Sequence, residues 1–322
     1  MTLIENVVKA FFLGRSVKAT EQLAGGLINQ TFRIDFEDAG CFILQKVNTD
    51  VFQNIKAVHE NMGVVSDYLN KSDYRYAFPI PVDSKNGQNW LELDNATWRM
   101  LPFVPETYST GKIHSEEMAR NASECLGHFH ASTIDLDPSK LAITIPDFHS
   151  GVLRINQFEE AVRKSDKAGI KLVVKIHKHF HVLEKWDQLN KQVSKRAVHF
   201  DTKIENFLFK KGTEEVAALI DLDTLMPGSI LSDVGDLIRS FCHQNLKYRD
   251  SILDGYLSKM NGHLTEHERR FLTFSGSALT LLQALRFLTD HLNGDVYYQT
   301  KYEGQNLERA EHQFSVYQDL KS

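Results

Sequence analysis

The densest concentration of reactive side chains lies between residues 199 and 223. The stretch His199-Phe200-Asp201-Thr202-Lys203-Ile204-Glu205-Asn206 places an ammonium two residues, and a carboxamide five residues, after a carboxylate. A carboxylate can take a proton from a hydroxyl, an ammonium can balance negative charge that builds during a group transfer, and an amide oxygen is a hard ligand for a cation. Fifteen residues after Asn206, Asp221 ends the apolar run Ala218-Leu219-Ile220, with Asp223 two places on. Magnesium takes oxygen ligands and only one or two protein carboxylates. Asp221 is therefore the first candidate to hold a metal, with Asp223 as auxiliary.

Strands and helices must hold such a loop, and their periods can be read along the chain. Residues 28–36, INQTFRIDF, alternate Ile28, Phe32, Ile34 and Phe36 with polar partners, as a half-buried strand does. Asp38-Ala39-Gly40 suits a hairpin turn into a second strand, CFILQKV, at 41–47. Ile55, Val58, Met62, Val65 and Leu69 recur at helical steps, and NWLEL (89–93) and TWRML (97–101) form another hairpin around Asp94-Asn95. Beyond Pro102 the spans 115–133, 155–192, 233–242, 247–261, 265–292 and 303–320 read as helices, with short strands only at 207–209 and 216–220. The expectation is an α+β chain of two lobes. Residues 1–101 form an antiparallel sheet lobe with one helix, and residues 102–322 form a mainly helical lobe.

The spacing H-x-D-x-x-x-x-N resembles the kinase catalytic loop. The resemblance implies a bilobal, protein kinase-like fold that uses ATP and Mg2+. In it Asp201 accepts the proton of the attacking hydroxyl, Lys203 meets the γ-phosphate, and Asn206 with Asp221 holds the metal. It also assigns the nucleotide contacts. Lys46 would grip phosphates and pair with Glu60, while Gly25, Gly26, Asn29 and Thr31 form a phosphate-covering turn. The hinge segment with Leu101 and Phe103 would lie against adenine. Asp221 is followed by Leu-Asp and not Phe-Gly, and no A-P-E segment follows, which argues against a protein substrate.

The pattern resembles the aminoglycoside phosphotransferase and choline kinase-like superfamily, in which an acid at the place of Asp233 supports the site. Within it, the chain is similar to the N-acetylhexosamine 1-kinase family through GGLINQTFRI, FILQKVNTDVF, WRMLPF, HFDTKIENFLF, IDLDTLMPG, DVGDLIRS and RFLTDHLNGDVYY. That likeness implies phosphorylation of the anomeric hydroxyl of an amino sugar, with Arg286 and Tyr297 joining Asp201 around it. An aminoglycoside or choline kinase, or a silent nucleotide-binding protein, is the alternative.

Composition narrows the classes further. With 42% hydrophobic and 25% charged residues the chain is an ordinary globular one. A net charge of −5 without a basic run argues against nucleic acid. Cys41, Cys125 and Cys242 suit no disulfide framework or zinc site. Together with an N-terminus unlike a signal peptide, and Gln283, Arg286, Asp290 and His291 interrupting the most apolar stretch, they lead us to expect a cytoplasmic protein off the membrane. His177, His179 and His181 lie close together without a carboxylate or cysteine at a metal-site spacing, and His128, His130 and His199 read as structural.

Overall fold

A computed structural model describes residues 3–12, 15–23, 28–38, 40–167, 171–243 and 245–321 of the protein. The first elements are α1 (Leu3–Phe11), β1 (Val17–Gln22), β2 (Gln30–Phe36), β3 (Cys41–Val47), α2 (Ile55–Leu69), β4 (Leu91–Leu93) and β5 (Ala96–Pro102). The strands form one antiparallel sheet in the order β1-β2-β3-β5-β4. Their alternation decides which side chains meet the cleft. Ile34, Phe36, Leu44, Trp98 and Met100 turn to the outer face and close a small core with Val7, Val8 and Phe11 of α1. The sheet lobe thus carries a second helix besides the one expected at 55–70. Its apolar stripe is only nine residues long, too short to stand out by periodicity. Asp94 and Asn95 sit at φ of 52° and 54°, the left-handed pair that a two-residue hairpin turn requires.

The rest of the chain adds β6 (Thr107–Tyr108), α3 (Glu116–Ser132), α4 (Gly151–Lys164), α5 (Lys171–His177), α6 (Phe180–Asn190), β7 (Arg196–Val198), β8 (Phe207–Lys210), β9 (Val216–Leu219), β10 (Met226–Gly228), α7 (Ile230–Cys242), α8 (Tyr248–Met260), α9 (Glu266–Leu292) and α10 (Gln305–Lys321). The helix expected over 155–192 is three helices. Ser165 leaves the helical region at ψ 138°, and α6 begins afresh after His179. Asp187 of α6 also reaches back to the start of α4, accepting from the Gly151 and Val152 amides at 2.8 and 2.9 Å, which folds α6 against α4.

Helix α9 is long and apolar enough to cross a bilayer by length and composition. Yet 67% of its most apolar window is buried inside the protein, as a core helix requires. A capping box between Thr265 and Glu268 starts it. It crosses α7 at close range, because a Cβ on Gly235 would lie 2.7 Å from the Ser275 carbonyl oxygen. Gly235→Ala should therefore push the two helices apart and lower stability by about 1–3 kcal/mol, read as a lower denaturation midpoint. An unchanged midpoint would mean that the helices separate freely.

Candidate active site

Strand pairing brings the reactive segments together. β7 pairs with β10 and β8 with β9, so the loop after β7 and the end of β9 lie side by side. Asp233, fully buried in the first turn of α7, holds that loop. Its carboxylate accepts the His199 and Phe200 amides at 2.7 and 2.6 Å and meets His130 Nε2 at 3.0 Å. Thr202 Oγ1 donates to the Asp233 carbonyl at 2.6 Å. The His199 ring donates through Nε2 to the Ile220 carbonyl at 2.9 Å, which ties the loop to the residue before Asp221. Phe200 and Asp221 are both left-handed, at φ of 66° and 63°. Such backbone costs energy in non-glycine residues and persists only where surrounding bonds fix it.

Within this frame Lys203 Nζ lies 2.5 Å from Asp201 Oδ2 and 3.7 Å from Asp221 Oδ2. Asn206 Nδ2 donates to the Asp201 carbonyl at 2.7 Å and to Asp201 Oδ2 at 3.0 Å, which leaves the amide oxygen for a cation. Burial pushes the Asp201 carboxyl up, but Lys203, His199 and Asn206 outweigh it and hold Asp201 below the usual range. Lys203 is raised, because its two carboxylates outweigh burial. Asp221 goes the other way. Burial and the neighbouring charges of Asp223 and Asp201 raise it despite Lys203 and Arg99. The pair Asn206 and Asp221 is thus a set of hard oxygens with negative charge under-compensated, and a divalent cation fits it.

On the nucleotide side, Gly25 and Gly26 lie outside the described residues. Asn29 is buried, donating to Asp223 Oδ2 at 2.8 Å and accepting the Asn48 amide at 2.9 Å, and Thr31 Oγ1 accepts from Gln45 at 3.2 Å. Both side chains are committed within the protein. The expected pairing of Lys46 with Glu60 is corrected by strand parity. Lys46 pairs across the sheet with Trp98 and shares the outer face with Leu44, whereas Gln45, Thr31 and Arg99 share the inner one. Glu60 is exposed, 3.7 Å from Lys56. The expected metal role of Asp223 is corrected too. It is 1% exposed and held by both Nη atoms of Arg99, the Nη2 contact at 2.8 Å, so it is occupied by a guanidinium. Leu101 and Phe103 do line the inner face, Leu101 opposite Ile43 and the Phe103 ring 4.8 Å from the Arg33 guanidinium.

A chain of contacts leads from Asp201 to the other two expected residues. Phe200 packs on Phe148 and His149, ring centroids 5.9 and 5.3 Å apart. The Arg286 guanidinium lies 5.7 Å from Phe148, 5.9 Å from Tyr297 and 5.6 Å from Tyr298. Asp290 accepts the amides of Val296, Tyr297 and Tyr298 and so shapes the turn that carries Tyr297. Arg154, Gln157, Glu160, Arg286, Asp290 and Tyr297 are among the residues that line a cleft of about 450 Å3. His149 was not found from the sequence. Burial, then Arg286, Arg239 and Arg154, hold its imidazole well below the ordinary range, so it stands neutral among cations. The three clustered histidines take separate partners: His177 meets Glu159 at 2.7 Å, His179 meets the Tyr317 hydroxyl at 3.0 Å, and His181 is exposed.

Comparison with known proteins finds the same fold elsewhere. The fold is shared with an aminoglycoside phosphotransferase from Alicyclobacillus acidocaldarius at a TM-score of 0.68 and 12% identity, over 99% of this chain and 94% of that one. It is shared also with a choline kinase from Streptococcus pneumoniae (TM-score 0.65, 13% identity, 99% and 100% covered). A third similar structure is an amicoumacin kinase in complex with AMP-PNP and Ca2+ (TM-score 0.69, 12% identity, 98% and 93% covered). A family model described as the APH phosphotransferase enzyme family matches residues 19–272, most of the chain, and the protein belongs to that family.

Proposed function

We propose that this small-molecule phosphotransferase uses ATP and Mg2+ to phosphorylate the anomeric hydroxyl of an N-acetylhexosamine, giving a sugar 1-phosphate. In this reading residues 1–101 hold the nucleotide, with Leu101 and Phe103 at the adenine, and residues 102–322 supply the catalytic loop, metal ligands and acceptor pocket. Asn206 and Asp221 would hold Mg2+, which would supply positive charge beside the transferring phosphate. Asp201 orients the acceptor hydroxyl and takes its proton as the new P–O bond forms and the bond to ADP breaks. Lys203 keeps that carboxylate ionised and stands beside the charge that develops.

The observation that carries the reading is the contact path from Asp201 through Phe200 and Phe148 to Arg286 and Tyr297. A guanidinium offers paired donors to sugar oxygens, and a tyrosine an apolar face with a polar tip. Arg154 donates to Gln157 and the Phe148 carbonyl, and Arg286 donates to Gln283, so these hydrogen bonds run to neutral partners. Although Glu160 and Asp290 also line the cleft, the two guanidiniums count against a cationic acceptor such as choline.

ATP consumption by the purified protein with Mg2+ tests this. The panel is N-acetylglucosamine, N-acetylgalactosamine, glucose, galactose, choline, kanamycin and homoserine. An N-acetylhexosamine should give the highest kcat/KM. Turnover with choline or kanamycin and none with the sugars would overturn the sugar assignment and leave a different small-molecule kinase.

A further inference from the structure

The cleft face of the sheet carries Gln45 where a phosphate-gripping lysine was expected, and the only cation bonded to it there among the described residues comes from the next strand, β5. We propose that Arg99 is a positioning residue for the metal site and that His59 of α2 fixes its orientation, so that the Arg99–His59–Asp223 cluster couples α2 and the sheet to Asp221. The proposal rests on Asp221 as a metal ligand and is independent of the acceptor's identity.

Arg99 is 2% exposed, so it cannot lie open to a nucleotide as a gripping lysine does. Its Nη atoms hold both oxygens of Asp223, and Nε donates to Gln45 Oε1 at 2.8 Å. Nη1 also meets His59 Nε2 at 3.4 Å. A guanidinium only donates, so His59 Nε2 accepts. The imidazole proton is therefore on Nδ1, which donates to Asn89 Oδ1 at 2.8 Å. Burial first, then Arg99, lowers His59 to about 4, so this neutral form persists at neutral pH.

One buried guanidinium thus joins β3, β5 and α2 to the turn at 222–224, and Asn29 adds the segment before β2 through the same carboxylate. That turn begins at Asp221, at φ 63° and ψ 58°, so the carboxylate that Arg99 holds lies within one short turn of the proposed metal ligand. Buried ion pairs add little net stability over apolar residues of equal volume, whereas a forked pair fixes geometry tightly. The cluster has the form of a positioning device.

The test uses the full chain and four readouts: thermal midpoint, kcat, KM for ATP, and the Mg2+ concentration for half-maximal activity. His59→Leu removes the acceptor and should lower kcat about 10- to 100-fold while raising the Mg2+ requirement. His59→Gln, whose amide oxygen can accept from Arg99, should restore most of both. Asn89→Leu alters a half-buried loop residue on the far side of His59 and should reproduce the His59→Leu effect in weaker form. The proposal fails if His59→Leu and Asn89→Leu shift only the thermal midpoint, if Gln restores nothing, or if the loss appears solely in KM for ATP. The last result would make Arg99 a nucleotide contact.

Discussion

Asp201→Asn should lower kcat by about 10²- to 10⁴-fold while the affinity for a non-hydrolysable ATP analogue stays within about threefold. The substitution keeps the shape of the side chain and an oxygen that can accept from Asn206. It removes the charge proposed to take the hydroxyl proton and the partner that Lys203 meets at 2.5 Å. Single-turnover kinetics would place the loss in the transfer step, and calorimetric titration would show nucleotide binding preserved. Loss of binding in this variant would instead make Asp201 a structural or metal-holding group.

The acid dependence of stability supplies a second readout of the same substitution. Because the folded Asp201 titrates below its unfolded value, its contribution to stability is present above the unfolded value and disappears as pH falls through the folded one. The Asn variant should therefore lose less stability than the native protein on acidification. Equal slopes would show that Lys203 does not stabilise the Asp201 carboxylate.

Asp221→Asn should abolish the response to magnesium, lowering kcat by about 10²-fold or more, and yet raise the thermal midpoint measured without divalent cation. The sign follows from its raised folded value. A carboxyl that binds its proton more tightly when folded destabilises the fold as pH rises through that value, and the penalty is fully present once the carboxyl is ionised. Asn removes the charge that lies near Asp201 and Asp223 with Lys203 only at 3.7 Å, and it also removes the proposed anionic ligand. Melts with and without Mg2+ and nucleotide should show the native protein gaining from the pair and the variant gaining little. A lower midpoint with Mg2+ activation intact would assign the metal elsewhere.

What the sequence made legible, and what it did not, divides by range. The meeting of Asp201, Lys203, Asn206 and Asp221 was readable because one loop and one strand end, close in the chain, carry them, and β8 with β9 is a local hairpin. The hairpins at 41–47 and around Asp94-Asn95 were readable for the same reason. Lys46 and Glu60 were placed by counting along the chain, but only the register of β3 against β5 decides that Gln45 and not Lys46 shares a face with Arg99. The run TWRML held a usable signal: a charged residue alternating between Trp98 and Met100 must face away from the outer core. His59 and Asp223 meet Arg99 across 40 and 124 residues, beyond the reach of any local period. His149 precedes Ser150 and α4, and only packing brings it to Phe200.

Phosphorus NMR of the product formed from ATP, Mg2+ and N-acetylglucosamine or N-acetylgalactosamine tests the proposed chemistry most directly. The expected spectrum shows ADP and a new phosphomonoester whose phosphorus couples to the anomeric proton of the sugar. ADP with only inorganic phosphate, or a phosphate coupled to any other position of the ring, would contradict it.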